Sequence, residues 1–427
     1  MLTQEENDAI TLVGPGTPMG QLMRRYWVPV GMSWEIEPDG SPLRVRLLGE
    51  NLIAFRDTSG RVGLMSEYCP HRGASLWLGR NEENGLRCVY HGWKYDHTGQ
   101  CVNQMNEPND TDFSHKIHSV AYPTVEMGGL IWAYMGATEK QPPLPEFAWT
   151  QAPEDQRHVN KTYEECNWLQ AMEGGLDTSH APILHRRLTE DTDLPGISPS
   201  TPFSRGKAPR LEVDETDYGY AYYGIRQLDE DKLHVRGYHF IMPFTQIRQE
   251  PFSGKDIVAG HMWVPMDDNN CMVYNWEYSP SGMGMEDQKL VARILGTGPG
   301  EQTSDFKKTR DLHNDYLIDR EAQKKLTFTG IFGINVQDHA VQESMGRIVD
   351  RSIEHLGPAD KAIIFMRKQL ALGVKVVADG GDPAGTGNTY YNVVAVDQVM
   401  PATADFRQKL RDAMFPDRSL LSGSTSD

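Results

Sequence analysis

Cys69-Pro70-His71-Arg72-Gly73 and, with sixteen residues between His71 and Cys88, Cys88-Val89-Tyr90-His91-Gly92-Trp93 decide how this chain is read. Each stretch offers one thiolate and one imidazole. Each places a glycine just past the histidine, where a tight loop can fold over a bound group. Two thiolates on one iron and two imidazoles on the other make a [2Fe–2S] cluster of raised reduction potential, a one-electron carrier. Two Cys and two His also suit zinc, but zinc pairs run C-x2-4-C and H-x3-5-H, not Cys-x-His followed by Cys-x2-His. The spacing favours the cluster.

Around these pairs the chain reads as short strands (44–48, 51–55 and 130–134) separated by glycine-bearing turns at 57–60 and 96–99. That predicts a small all-β domain with the ligand pairs on its loops. The Pro-rich stretch 138–145 marks a boundary. Beyond it, strand-like runs at 218–225, 234–242, 257–263 and 272–278 mix with helix-like runs at 304–325, 361–372 and 404–414. The predicted fold class is α+β: the all-β domain, then a larger domain with an antiparallel sheet flanked by helices. The expected divisions are an N-terminal segment 1–40 packing on the larger domain, the cluster domain 41–137, the larger domain 138–418 and a disordered Ser-rich tail 419–427.

The 427 residues are enough for two cores. With 59 acidic and 42 basic residues the net charge is −17, which argues against nucleic acid or an anionic membrane as the main partner. No run of eighteen apolar residues suggests a transmembrane helix. The acidic start lacks the basic-then-apolar order of a signal peptide. Two of the five cysteines belong to the cluster pairs. Cys101, Cys166 and Cys271 read as small buried residues, and a reducing, cytoplasmic setting is expected.

A second constellation follows. Glu173, Asp177 and His180 stand at i, i+4 and i+7, one face of a helix, with His185 five residues on. Pro182 disfavours a straight continuation, so a break there can bring His185 round to His180. Two histidines and one carboxylate with open positions form the facial triad of mononuclear non-haem Fe(II) oxygenases. The plainer reading is a polar helix end with two surface histidines. Beside an electron-transfer cluster, the site becomes the destination of the electrons.

Together the two motifs resemble the oxygenase α-subunit of the Rieske non-haem iron oxygenases over nearly the whole chain. Residues 167–180, NWLQAMEGGLDTSH, are similar to that family's iron motif, D/E-x3-D-x2-H-x4-H. PMGQLMRRYW at 18–27 and QDHAVQESMGRIVDR at 337–351 look most like its phthalate dioxygenase group, whose members carry no β-subunit. The resemblance implies a [2Fe–2S] cluster on Cys69, His71, Cys88 and His91, and Fe(II) on His180, His185 and a distant carboxylate. Asp338 is the choice for that carboxylate and Glu343 the runner-up. It also implies that Asp177 bridges His180 to His91 of a neighbouring subunit, which requires an oligomer, a trimer or a pair of stacked trimers. Glu173, one turn before Asp177, takes a supporting role near the iron.

For substrate, the segments around Arg210 and Arg226 resemble those that hold substrate carboxylates in phthalate dioxygenases. A guanidinium fork suits a carboxylate. Arg236 and Arg248 are further candidates, and Ser179 could add a hydroxyl. Most strand arginines, however, are solvated or paired with surface acids. The expected reaction is dihydroxylation of an aromatic carboxylate of phthalate, isophthalate or substituted benzoate type to a cis-dihydrodiol. Gly296-Thr-Gly-Pro-Gly300 has the wrong spacing for a dinucleotide fingerprint. Electrons should therefore come from a separate protein, which the resemblance implies is a flavin and iron–sulfur reductase fed by NAD(P)H. The alternatives are a monooxygenase cleaving an aryl ether or O-methyl group, an electron carrier, and a zinc-stapled binding protein. Nearly three hundred residues after the cluster domain speak against a bare carrier.

Overall fold

The computed structural model describes residues 1–189, 208–250, 256–285, 292, 294–298 and 300–416. The chain forms two compact units, one of Val13–Pro145 and one of Met1–Leu12 with Glu146–Asp427.

The smaller unit is built from three antiparallel sheets. Trp27–Met32, Leu130–Tyr134 and Thr124–Met127 form the first, with Leu130–Tyr134 in the middle. Leu43–Leu47, Glu50–Arg56, Val62–Ser66 and Ala121–Tyr122 form the second. Arg80–Glu82, Gly85–Arg87, Trp93–Tyr95 and Cys101–Gln104 form the third. Ile53, Phe55, Met65, Leu76, Leu86, Trp93 and Tyr95 pack with Cys69 and Cys88 into one core. The cluster loops thus leave directly from buried strands.

The larger unit carries an eight-stranded antiparallel sheet. Its order is Arg157–Glu164, Cys271–Tyr278, Val258–Pro265, Thr245–Gln249, Lys232–Ile241, Gly219–Gln227 and Arg210–Thr216, with Val396–Pro401 also paired to Lys232–Ile241. Gly219–Gln227 is buried along nearly its whole length, which explains its continuous run of tyrosines and small residues. Helices Trp168–Leu176 and Lys361–Ala378 pack on the sheet, and Ile334–Ser344 packs against Trp168–Leu176. Asn167 starts the first of these helices: its side chain accepts from Leu169 N and donates to the carbonyls of Thr11 and Asp268.

Gly174 and Gly175 set how closely that helix lies. A Cβ on Gly174 would fall 2.0 Å from the Gln342 amide of the neighbouring helix, and one on Gly175 2.0 Å from the Trp263 ring of the sheet. The double glycine is therefore a close-approach device, placed immediately before Asp177 and His180.

Three sequence expectations need correction. The segment 1–40 does not act as one piece. Only Met1–Leu12 joins the larger unit, held by Asn7 to Val349 O (3.1 Å), Arg351 to Asn7 (3.0 Å) and Trp168 to Thr11 O (3.2 Å). Residues 13–40 belong to the smaller unit because Trp27–Met32 is a strand of its first sheet. The Pro-rich stretch also stays with the smaller unit, Pro142 O accepting from Trp27 Nε1 at 3.2 Å. Finally, 304–325 is not one helix. Asp315 and Tyr316 adopt positive φ, Asp319 caps a fresh short helix Arg320–Lys325, and the Tyr316 hydroxyl is drawn 2.5 Å from the buried Glu343 carboxylate. The tail 419–427 lies outside the described residues.

Replacing Gly175 with Ala should lower the thermal midpoint, at a cost of roughly 1–3 kcal/mol for the overpacked contact. Gly357→Ala, where a Cβ meets nothing closer than 3.9 Å, is the matched control and should leave the midpoint within error. Equal midpoints for the two variants would contradict the close-approach reading.

Candidate metal centres

The two cluster loops are built alike. Cys69 N donates to Ala74 O (2.9 Å) while Gly73 N donates back to Cys69 O (2.9 Å). Cys88 N donates to Trp93 O (2.8 Å) while Gly92 N donates back to Cys88 O (2.9 Å). Gly73 and Gly92 close the two turns with φ of 75° and 74°, a conformation open to glycine. Both thiols are buried, each residue 3% exposed, and they are close enough to interact; burial first and the Cys69 thiol second push the Cys88 thiol up. Such a thiol becomes a thiolate only against a compensating cation. The imidazoles lie nearer the surface. The His71 and His91 rings are 4.5 Å apart, and His71 stacks on Trp93 at 4.3 Å. The Cys69 sulfur is 3.3 Å from the Tyr95 hydroxyl. His91 Nδ1 is buried without a hydrogen-bond partner among the described residues, as a nitrogen reserved for a metal would be.

Among the described residues, the only three or more metal-binding side chains with donor atoms mutually within 4.8 Å are His180, His185 and Asp338. The four cluster residues thus do not converge on one point, as a mononuclear zinc site would require.

The second centre is assembled from two helices. Trp168–Leu176 stops at Asp177, whose side chain accepts from Ser179 N at 2.6 Å. The break thus comes before Pro182, which sits in the first turn of a new short helix, Ala181–Leu184, that carries His185 back towards His180. Asp338 comes from the Ile334–Ser344 helix. One of its oxygens is 3.3 Å from Nε2 of His180 and 3.3 Å from Nε2 of His185. The far nitrogens are also occupied. His180 Nδ1 is 3.3 Å from Asp177 Oδ2, and His185 Nδ1 is 2.8 Å from Gln337 Oε1. Gln337 is oriented in turn by donating to Ile331 O at 2.7 Å. Each ring therefore keeps a proton on Nδ1 and turns Nε2 inward, where a metal would take the place of any second proton. Burial pulls the His180 imidazole down, but Asp177 and Asp338 outweigh it and raise it to about 10. Burial likewise raises Asp338, and the two imidazoles override it to hold the carboxyl well below its usual range. The chemistry is that of a buried carboxylate matched by positive charge, which a divalent cation satisfies.

A cavity of roughly 100 Å³ adjoins these ligands; Arg236, Tyr238, Gln246, Arg248 and His261 share its walls with His180, His185 and Asp338. Arg236 is held by Asp397, Nε to Oδ2 at 3.0 Å. Arg248 donates from Nε to His261 Nε2 at 3.1 Å. Burial, and secondarily Arg248, keep His261 neutral, its pKa pushed down to about 3.

Several sequence candidates lie elsewhere. Arg210 is exposed on a strand and pairs with Glu212; it does not line the cavity beside His180, His185 and Asp338. The acid two residues on, Glu212, shares its face of the strand and holds it there. Arg226 is buried but spends Nη2 on Thr178, donating to its carbonyl (2.8 Å) and hydroxyl (3.1 Å), and stands outside the cavity wall. Ser179 also stands outside that wall; its backbone N–H orients Asp177 instead. Glu173 is not turned to the His180–His185–Asp338 group: Arg351 and Arg367 take both its oxygens at 2.6 to 3.1 Å. Glu343, the runner-up ligand, is bound by Lys308 (2.7 Å) and Tyr316. Gln337 and His261 were missed. Only the position of Gln337 beside Asp338 hinted at it, and His261 required the strand register.

Residues 26–120 match the Rieske [2Fe-2S] domain family, and residues 133–419 match the family described as LigXa C-terminal domain like. The 3-chlorobenzoate-3,4-dioxygenase oxygenase subunit of Comamonas testosteroni is 38% identical over 90% of this chain and 92% of its own. The phthalate 4,5-dioxygenase oxygenase subunit of Pseudomonas putida is 39% identical over 91% and 89%. The 5,5'-dehydrodivanillate O-demethylase oxygenase subunit of a Sphingobium species is 32% identical over 90% and 83%. Among solved structures, dicamba monooxygenase bound to dicamba is similar in fold, with TM-score 0.61 and 18% identity over 83% of this chain and 98% of that one.

Gln337→Leu removes the acceptor that orients His185. The expected result is a roughly ten- to hundredfold loss of affinity for Co(II) or Fe(II) at the mononuclear centre, with the visible spectrum of the cluster unchanged. Asp338→Ala should lose that metal outright, whereas folded Glu343→Gln should retain it. Metal analysis of the three proteins checks the assignment, and retention by Asp338→Ala would refute it.

Proposed function

This chain belongs to the Rieske non-haem iron oxygenases, as an oxygenase component with a [2Fe–2S] cluster and a mononuclear iron, and from that premise we propose the residues and substrate through which it works. Cys69, His71, Cys88 and His91 hold the cluster. His180, His185 and Asp338 hold Fe(II). Reduced iron in that triad supplies the activation of O2, with electrons from a separate NAD(P)H-dependent reductase by way of the cluster. The substrate is an aromatic carboxylate of the phthalate, isophthalate or substituted benzoate type, and the product is a cis-dihydrodiol.

One observation carries the substrate reading: Arg248 and Arg236 share a single cavity with the three iron ligands. A carboxylate anchored there is held at a fixed reach from the metal, and the attached ring is presented to it. Asp397 neutralises Arg236, so Arg248 is the better anchor. Tyr238, stacked on Tyr222 at 4.6 Å between centroids, supplies a flat aromatic wall. Asp177 and Gln337 keep the two imidazoles in the tautomer that binds metal.

Asp177 has a second task in this reading: it links His180 to His91 of a neighbouring copy, so that each cluster serves the next copy's iron. Support comes from its surroundings. Asp177 and His180 open onto a depression of roughly 460 Å³ walled by Ile183, Phe328, Val341 and Met345, all exposed apolar side chains. An apolar rim around a charged pair is what a docked subunit covers. A trimer or stacked pair of trimers follows. No helix among the described residues is long and apolar enough to cross a membrane, and a cytoplasmic setting is part of the proposal.

The relationship to an O-demethylase subunit favours a second reading, monooxygenation that removes a methyl group from an aromatic acid. Purified protein, a competent reductase, ¹⁸O2 and a panel of aromatic acids separate the two. Two labelled atoms in a cis-diol support dihydroxylation, and one labelled atom with released aldehyde supports demethylation. Failure of every acid to give product coupled to oxygen uptake would overturn both.

Asp177→Asn keeps shape and removes charge. Iron should stay bound and the cluster should be reduced normally by its donor. Cluster reoxidation in a single turnover should slow by orders of magnitude. An active monomer in sedimentation would refute the inter-copy route.

A further inference from the structure

One face of the large sheet carries an unusual set of polar residues. Gln246, His261, Asn275 and Asn160 are directly cross-strand from one another over four neighbouring strands. Residues two positions apart share a face, so Arg248, Ala259, Glu277 and His158 form the next row on the same side. Ala259 separates Arg248 from Glu277, and Arg248 turns diagonally to His261.

The hydrogen bonds along this face run in one direction. Arg248 Nε donates to His261 Nε2 at 3.1 Å. A guanidinium cannot accept, so His261 Nε2 is the bare nitrogen of a neutral ring and Nδ1 carries the proton. That proton goes to Asn275 Oδ1 at 2.6 Å. Asn275 Nδ2 donates to Asn160 Oδ1 at 2.8 Å, and Asn160 Nδ2 then faces His158 Nε2 at 3.4 Å. Each link fixes the orientation of the one before it, and aligned bonds of this kind polarise one another. The start of the chain is at the iron: Arg248 and His261 line the cavity with His180, His185 and Asp338, while Asn275, Asn160 and His158 lie behind it.

The consequence is geometric. With Nε committed to His261, the two terminal nitrogens of Arg248 remain as a fork for an end-on, bidentate carboxylate. Arg236, in the same cavity, is differently employed: its Nε is on Asp397 and Nη2 on Gln249 O at 2.5 Å. We propose that His261 is the positioning residue that aims the Arg248 fork at the iron cavity, so that selectivity for aromatic acids over neutral aromatics depends on the His261–Asn275–Asn160 row. The proposal deepens the aromatic-acid reading above and rests on it.

The test uses the cluster- and iron-loaded oxygenase with its reductase. The probes are phthalate, isophthalate and 3-chlorobenzoate, each compared with its uncharged amide. His261→Phe keeps the ring and removes both hydrogen bonds. His261→Gln can restore them, accepting from Arg248 and donating to Asn275. The Phe variant should bind the preferred acid about tenfold more weakly, the scale of one misdirected charge-assisted bond. It should raise KM with kcat at saturation within about twofold, and leave amide binding unchanged. The Gln variant should recover most of the acid affinity. Equal weakening by Phe and Gln, equal loss for acid and amide, or no loss in Phe each overturns the positioning role. If acids are turned over but Arg248→Gln does not weaken their binding, the aromatic-acid reading stands and this proposal falls. If no acid binds the unaltered enzyme, both fall together.

Discussion

A single carboxylate oxygen of Asp338, 3.3 Å from Nε2 of both His180 and His185, is the point on which the larger unit converges. The histidines and the aspartate are separated by some 150 residues of chain, so backbone proximity does nothing for them. Their meeting depends on two helices lying close and not sliding. Gly174 and Gly175 allow the approach. Two buried ion clusters prevent the slip: Glu173 with Arg351 and Arg367 ties the first helix to Lys361–Ala378 and the segment before it, and Glu343 with Lys308 and Tyr316 ties down the second. A buried ion pair is weak evidence for net stability, but removing one partner strands a charge in a dry interior. Sliding either helix would do that twice over. The clusters act as register marks for the metal site.

This explains why two acids close in sequence to the His180–His185–Asp338 group point away from it. Glu173 and Glu343 read in the sequence as possible ligands, because each stands within a turn or two of a residue of that group. Both are spent on holding the helices that carry those residues.

The cluster pairs and the two histidines were legible because their donors are local. Spacing alone distinguishes Cys-x-His with Cys-x2-His from zinc pairs, and the structure shows mirrored loops at those residues. Asp338 was legible only through family resemblance, since no periodicity links it to His180. Which arginines line the cavity beside His180 and Asp338 was not legible. Arg210, Arg226, Arg236 and Arg248 all sit on strands, and which of them faces the cavity beside His180, His185 and Asp338 depends on sheet order and on partners several strands away. Glu212 takes Arg210, Thr178 takes Arg226, Asp397 takes Arg236, and His261 leaves the fork of Arg248 available. The run 304–325 failed for a related reason. Its apolar spacing fits a helix, but local capping by Asp311 and Asp319 and the pull of Glu343 on Tyr316 outweigh propensity.

The two metal-facing imidazoles are held by unlike partners, and the difference follows burial. Gln337, behind His185, is 3% exposed. A carboxylate in its place would put a second buried anion beside Asp338, with desolvation and like-charge repulsion both opposing ionisation. A neutral amide orients the ring without that cost. Asp177, behind His180, has a side chain 18% exposed at the edge of an open apolar depression. There a negative charge is tolerable, and one of its oxygens can serve a second donor. The site is therefore asymmetric by construction. Its closed side fixes geometry with neutral groups, and its open side keeps the charged group that can be shared.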